Sequence, residues 1–199
     1  MPNPTFRLAT TDDAAAIQSI YAPYVAETII SFEYDIPTVE TMRERIAGIL
    51  TMFPWLVCEV DGAVIGYAYA SRHSDRAAYQ WSVNVSAYLT PAYQRKGIGR
   101  GLYMSLFALL RLQGFESAYA GISLPNDASV GLHRAVGMEM VGVYHHVGYK
   151  FGAWHDVAWL ETRLQTIPVP PVSPMSIHQV IRTPAGEAAL TSGLECVRL

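Results

Sequence analysis

Gln94-Arg95-Lys96-Gly97-Ile98-Gly99-Arg100-Gly101 is the stretch on which the fold turns. A strand-like apolar run ends just before it at Leu89, and a strongly apolar run with helical spacing begins near Ile98. Glycines at alternate positions let backbone N–H groups approach a ligand closely, and the following helix adds the positive end of its dipole. The segment reads as an anion cradle suited to phosphate, with Arg95, Lys96 and Arg100 reinforcing it.

Spacing separates the designs that could own such a loop. A P-loop requires Gly, four residues, then Gly-Lys-Ser/Thr, and this run is absent. A dinucleotide fingerprint requires G-x-G-x-x-G, but the third glycine falls one position early at Gly101. Glu116 and Asp127 do not follow at the end of a second strand, where a ribose-binding acid belongs. What remains is Gln/Arg-x-x-Gly-x-Gly/Ala, here Gln94-x-x-Gly97-x-Gly99. As a bare pattern it also suits an ordinary strand–helix turn.

Outward from the loop, the elements alternate in type. Phe6 to Ala9 reads as a strand, and Thr10 or Thr11 with Asp12-Asp13 starts a helix that carries Ile17, Ile20, Tyr21 and Tyr24. Pro37-Thr38 opens a second helix through Leu50, after a non-helical connection, Thr28 to Tyr34. Trp55 to Val60, Asp61-Gly62, and Ala63 to Ala70 form a hairpin signal. A polar segment, Ser71 to Ala78, leads to a strand over Tyr79–Leu89. Beyond the loop come a helix closed by Gly114, a strand over Ser117–Ile122, a helix from Pro125-Asn126-Asp127 to Gly137, and a strand pair at 138–149 and 154–164. The order β-α-α-β-β-β-α-β-α-β-β predicts an α+β fold, a mixed and mostly antiparallel sheet flanked by helices. After Ile167 four prolines crowd a short stretch, so residues 1–166 are expected to form the domain and 167–199 a flexible linker and tail.

Bulk properties restrict the function. A 51% hydrophobic content over 199 residues supports one substantial core, and the net charge of -3 offers no general attraction to nucleic acid or anionic lipid. Cys58 and Cys196 lack metal-ligand spacing, which fits reduced thiols in the cytoplasm and no metal cofactor. Met1-Pro2-Asn3-Pro4 lacks a leader pattern, and no apolar run is long enough to span a bilayer. Small-molecule chemistry is the expectation.

The loop motif and the element order together resemble the acetyl-CoA-dependent N-acetyltransferase superfamily (GNAT). Further runs resemble its phosphinothricin acetyltransferase branch, which includes relatives acting on arsinothricin or on methionine sulfone and sulfoximine. They are Tyr67-Ala68-Tyr69-Ala70, Arg76-Ala77-Ala78-Tyr79, Leu124 to His133, and Val147 to Asp156. The resemblance covers about residues 5 to 164 and leaves the tail outside. It implies acetyl transfer from acetyl-CoA to the α-amine of a small amino-acid-like substrate, in a homodimer, by direct attack.

The resemblance also implies roles. Gln94, Arg95, Lys96, Gly97, Ile98, Gly99 and Arg100 would hold the CoA pyrophosphate, and main-chain N–H groups along Ala87-Tyr88-Leu89 the thioester, where the strand splays. Asn126 and Ser129 would contact the cofactor, although N-capping also explains Asn126. His133 occupies a position where many members carry a tyrosine that protonates the departing thiolate; packing beside the cofactor is its other reading. Relatives place a glutamate base where this chain has Asn84, in Ser82-Val83-Asn84, and an amide cannot accept the proton usefully. Glu33, His73, and His145 or His146 are the replacement candidates. Arg72, His73 and Arg76, with Phe32, Glu33 and Tyr79, are expected to line the acceptor site. An acyl-CoA-binding module without catalysis and an acetyltransferase acting on protein amines are the rival readings.

Overall fold

A computed structural model describes residues 3–199. Its order is β1 (Pro4–Leu8), α1 (Ala14–Glu27), α2 (Val39–Leu50), β2 (Trp55–Val60), β3 (Ala63–Arg72), β4 (Ser82–Leu89), α3 (Ile98–Gln113), β5 (Ser117–Ser123), α4 (Asp127–Ala135), β6 (Glu139–Lys150) and β7 (Ala153–Arg163). Local chemistry sets these boundaries. Thr38 caps α2 by accepting the Thr41 N–H at 3.1 Å, and Asn126 caps α4 by accepting that of Ser129 at 3.1 Å. Asp61 and Gly62 both hold positive φ, 50° and 82°, as a two-residue hairpin turn with primed geometry requires. Phe151 and Gly152 repeat that solution between β6 and β7.

The strands form one seven-stranded sheet in the order β1-β2-β3-β4-β5-β7-β6. Every neighbouring pair is antiparallel except β4 and β5. Those two run parallel and pair only at Ser82–Ser117, Val83–Ala118 and Asn84–Tyr119 before they diverge. This is the mixed, mostly antiparallel sheet expected from the element order, with the splay that the resemblance implies.

Alternation along the strands sorts the side chains onto two faces. One face carries Trp55, Val57 and Tyr67 against Ile17, Tyr21, Val25, Met42 and Ile46 of α1 and α2. The other carries Val83, Val85, Ala118, Ala120 and Ile122 against Leu102, Leu106 and Leu110 of α3. Because Asn84 is paired with Ser71 and with Tyr119, all three belong to the α1/α2 face.

The expectation of a flexible tail is corrected. Residues 177–196 fold into α5 (Ile177–Val180), α6 (Pro184–Thr191) and a 3-10 turn (Ser192–Cys196). Ile177, Val180 and Ala189 are buried in the α3-side core. The prolines lie in the connection, while the apolar residues that bury are spaced too sparsely over short helices to give a readable period. The strand expected from Tyr79 also starts later, at Ser82, because Ala77–Tyr79 forms a 3-10 turn.

Candidate active site

Where β4 and β5 part, a cleft opens. Val85 to Tyr88 form one wall, Gly121 to Ser123 the other, and Tyr103, Asn126, Ser129 and His133 close the α3/α4 side. The Thr90 N–H donates to the Ile65 carbonyl of the β3 side at 2.9 Å. Counting back along β4, the main-chain groups of Ala87 and Leu89 therefore face the cleft, while those of Tyr88 face β3. The Leu89 carbonyl accepts the Tyr24 hydroxyl at 2.5 Å, consistent with its lying outside the β3 ladder. No register shift interrupts β4 against β3, so divergence alone makes the opening.

The glycine loop sits at the mouth of this cleft. Arg95 and Gly97 take positive φ, 58° and 77°, and Gly97 is the N-cap of α3. The first N–H groups of such a helix have no acceptor within it and are available to an anion. Gly99 faces inward: a Cβ there would lie 3.1 Å from Leu132 of α4 and 3.4 Å from Leu89. Gln94 reaches back to the Tyr24 hydroxyl at 3.4 Å, and Lys96 lies over the Tyr93 ring. An opened sheet leading to backbone donors at a helix N-terminus suits a long cosubstrate with a pyrophosphate in its middle.

His133 is buried, with its Nδ1 2.7 Å from the Ser129 carbonyl and its Nε2 2.9 Å from the Tyr103 hydroxyl. A carbonyl can only accept, so Nδ1 carries the proton and Nε2 accepts from Tyr103. Burial lowers the pKa of the ring, against the opposing pull of the Ser129 carbonyl, and it stays neutral. Burial likewise pushes the Tyr103 hydroxyl far up.

On the α1/α2 face a different pair meets. His73 Nδ1 lies 2.9 Å from Asn84 Oδ1, and Asn84 Nδ2 points at the Arg72 carbonyl 3.5 Å away. The amide orientation follows, since Nδ2 must donate to that carbonyl and Oδ1 must then accept from His73 Nδ1–H. Nε2 of His73 is thereby left as the ring's lone-pair nitrogen. The imidazole lies among aromatic rings, with centroids 4.6 Å from Tyr119, 5.7 Å from Tyr79 and 6.4 Å from Trp159.

The other acceptor-side candidates separate. Glu33 receives a two-pronged Arg45 fork at 2.7 and 3.0 Å and the Tyr21 hydroxyl at 3.0 Å. Burial alone would raise its pKa, but these donors overcome it and hold the carboxyl below its usual range. Arg72 is paired across the sheet with Val83, on the α3 side, and with Arg76 it borders a hollow lined by Met52, Phe53, Phe115 and Pro174. These two arginines do not join Asn84. His145 and the His146 N–H both bind Asp156 at 2.8 Å, where the β6–β7 ladder is interrupted. They shape the hairpin.

Phe32 packs against Gly148, where a Cβ would fall 2.1 Å from its ring. Lys150, 2% exposed, donates to the carbonyls of Val25, Thr28 and Ser31 at 2.7, 3.0 and 2.6 Å. Three acceptors require three N–H groups, so the side chain is an ammonium. It fastens the 28–34 connection to the end of α1. Lys150, Arg45, Tyr21 and Trp159 were not singled out for these roles from sequence: on their elements they follow ordinary core or surface spacing.

The family of the GNAT acetyltransferase domain matches residues 6–159. The chain belongs to this family. It is 37% identical over 174 residues to a phosphinothricin N-acetyltransferase of Streptomyces viridochromogenes, covering 87% of this chain and 94% of that protein. It is 34% identical over 161 residues to an L-methionine sulfoximine/L-methionine sulfone acetyltransferase of Salmonella typhimurium, covering 80% and 94%. A solved phosphinothricin acetyltransferase from Sinorhizobium meliloti, in complex with AcCoA, superposes with a TM-score of 0.78 at 35% identity, covering 80% of this chain and 88% of that one.

Proposed function

We propose that this chain transfers acetyl from acetyl-CoA to the α-amine of a small amino-acid-like substrate, of the phosphinothricin, arsinothricin or methionine sulfone/sulfoximine type, with His73 as the general base. The observation that carries this reading is the His73–Asn84 pair, set where β4 leaves β5. Asn84 stands at the expected glutamate position and acts one step removed, by holding His73 in the tautomer whose Nε2 can take a proton.

The pyrophosphate meets Gly97 to Arg100, and the pantetheine arm lies in the cleft between Val85–Leu89 and Gly121–Ser123. Ala87 and Leu89 offer main-chain N–H groups on the cleft side, where the thioester oxygen gains charge. His73 Nε2 takes a proton from the substrate ammonium. The amine then attacks the thioester carbon, the C–N bond forms, the attacking nitrogen gives up its second proton to solvent, the C–S bond breaks, and CoA leaves as a thiolate. Neutral His133, with both nitrogens engaged, holds Tyr103 and shapes the cleft, so the thiolate gains its proton from solvent or from His73.

Arg45 is an arginine on the Asn84 face: it borders a hollow with Tyr21, Trp55, Tyr67 and Tyr69, and Tyr69 is the cross-strand neighbour of Ser86. It is better placed than Arg72 or Arg76 for a substrate's acidic group. Glu33 is its fixed partner, and Phe32 and Tyr79 serve as walls. A homodimer fits the β6–β7 hairpin, where Val141, Tyr144, Val147, Phe151 and Trp154 are each more than half exposed. Cys58, its thiol pushed up to about 12 by burial, is inert, and a reduced, cytoplasmic setting suits it. No helix of the described residues is long and apolar enough to cross a membrane.

Thiol release from acetyl-CoA over a panel of phosphinothricin, arsinothricin, methionine sulfone and ordinary amino acids tests the reading. Turnover with one of the first three is expected. Binding of acetyl-CoA without turnover on any amine would replace the enzyme with an acyl-CoA-binding module.

A further inference from the structure

The segment after Leu164 lies outside the matched domain, yet it returns to the glycine loop. It first meets the far end of α3, where the Met175 N–H donates to the Gln113 carbonyl at 2.8 Å and the Gln113 side chain donates to the Met52 and Met175 carbonyls at 2.8 Å. It then runs back along α3. In the first turn of α3 two backbones touch: a Cβ at Gly101 would fall 2.5 Å from the Gly193 carbonyl oxygen, and one at Gly193 only 1.9 Å from that of Gly101. The Gly193 N–H donates to Ser105 Oγ at 3.0 Å. The run ends behind the loop, with the Arg198 N–H donating to the Lys96 carbonyl at 2.8 Å.

That last bond bears on ligand binding. A trans peptide unit holds its C=O and N–H in opposite directions. With the Lys96 carbonyl anchored behind, the Gly97 N–H of the same unit is turned to the front, into the cradle. Gly97 also lies against this strap, since a Cβ there would fall 1.9 Å from the Cys196 carbonyl oxygen. Glycine at this position thus serves both a left-handed φ of 77° and the close approach of the strap.

We propose that residues 177–198 are a positioning strap for cosubstrate binding: the Arg198 amide orients the Gly97 N–H toward the CoA pyrophosphate. The inference rests on the acetyl-CoA reading above and adds an element that the glycine motif does not contain. It predicts a dependence on the Arg198 backbone and none on its side chain.

Arg198→Pro removes the N–H together with the side chain, and Val197, at φ -76° and ψ 137°, already has the conformation a residue before proline adopts. Arg198→Ala keeps the N–H. Equilibrium binding of acetyl-CoA, and of acetyl-pantetheine, which lacks the pyrophosphate, is measured on the full chain and both variants, with melting temperatures as a control. R198P should weaken acetyl-CoA about fivefold, the loss of one hydrogen bond, and leave acetyl-pantetheine unchanged. R198A should bind both ligands as the parent does. Removal of residues 197–199 is a second variant and should reproduce the R198P result should the proline destabilise the fold. The strap is overturned if R198P and the shortened chain both keep the parent affinity, if R198A weakens acetyl-CoA as much as R198P, or if both ligands weaken equally. A parent chain without affinity for acetyl-CoA overturns the acetyltransferase reading and the strap with it.

Discussion

The two sides of the cleft are made of different material. On the proposed cosubstrate side the groups on offer are backbone amides: the loop from Gln94 to Gly99, the N-terminus of α3, and the main chain of Ala87 and Leu89. On the acceptor side they are side chains brought from several elements: Tyr21 of α1, Arg45 of α2, His73 after β3, Asn84 of β4 and Tyr119 of β5. A backbone site needs only a local conformation, which a few glycines specify. A side-chain site depends on sheet register, where a step of one residue moves a group to the opposite face. The chemistry can therefore change on the acceptor side, as Asn84 illustrates, while the cosubstrate side stays recognisable.

Three substitutions should break this contrast if it is wrong. The largest effect is expected from His73→Phe, which should lower kcat by about 10²–10⁴. It should leave acetyl-CoA affinity unchanged. A kcat within a few-fold of the parent would show that the proton leaves elsewhere. Gly99→Val should give the opposite signature. A Cβ at this position already lies 3.1 Å from Leu132, so the added methyl groups should weaken acetyl-CoA binding by about 10- to 100-fold, the cost of overpacking, with kcat at saturation largely kept. Unchanged affinity in a titration of G99V would remove the loop from the cosubstrate site. The smallest effect is expected from His133→Asn, under about tenfold on kcat, with the pH profile unmoved because burial disfavours the charged ring. A larger fall with loss of the basic limb would restore His133 as a proton donor.

The elements that build the proposed cosubstrate side were the most legible in the sequence. The spacing of Gly97 and Gly99, the cap at Asn126 and the apolar run from Ile98 are local signals, and each sits where local physics places it. The acceptor side was legible only as candidates. His73 was one among several bases, and its pairing with Asn84 depends on a register between β3 and β4 that no local pattern states. Arg72 and His73 are adjacent in the chain, yet Arg72 lies across from Val83 on the α3 side while His73 reaches Asn84 on the other. Arg45, three residues after Met42 on an amphipathic helix, gave no sign of reaching Glu33. Lys150 read as part of a motif, and only the fold shows three carbonyls converging on it.

By itself the sequence determined the order of elements, the glycine loop between strand and helix and, by resemblance, the opened sheet and the acetyltransferase family. The order and the loop follow from periodicity, caps and glycine conformations, which act over a few residues. Only the tertiary structure decided which face each acceptor-side group occupies, that Glu33 is held as a bound carboxylate and His133 as a neutral ring, and that the segment after the prolines is packed. Such outcomes depend on burial and on partners distant in the chain. The Arg198 amide meets the Lys96 carbonyl from about a hundred residues away, and nothing in the spacing of either segment announces the meeting.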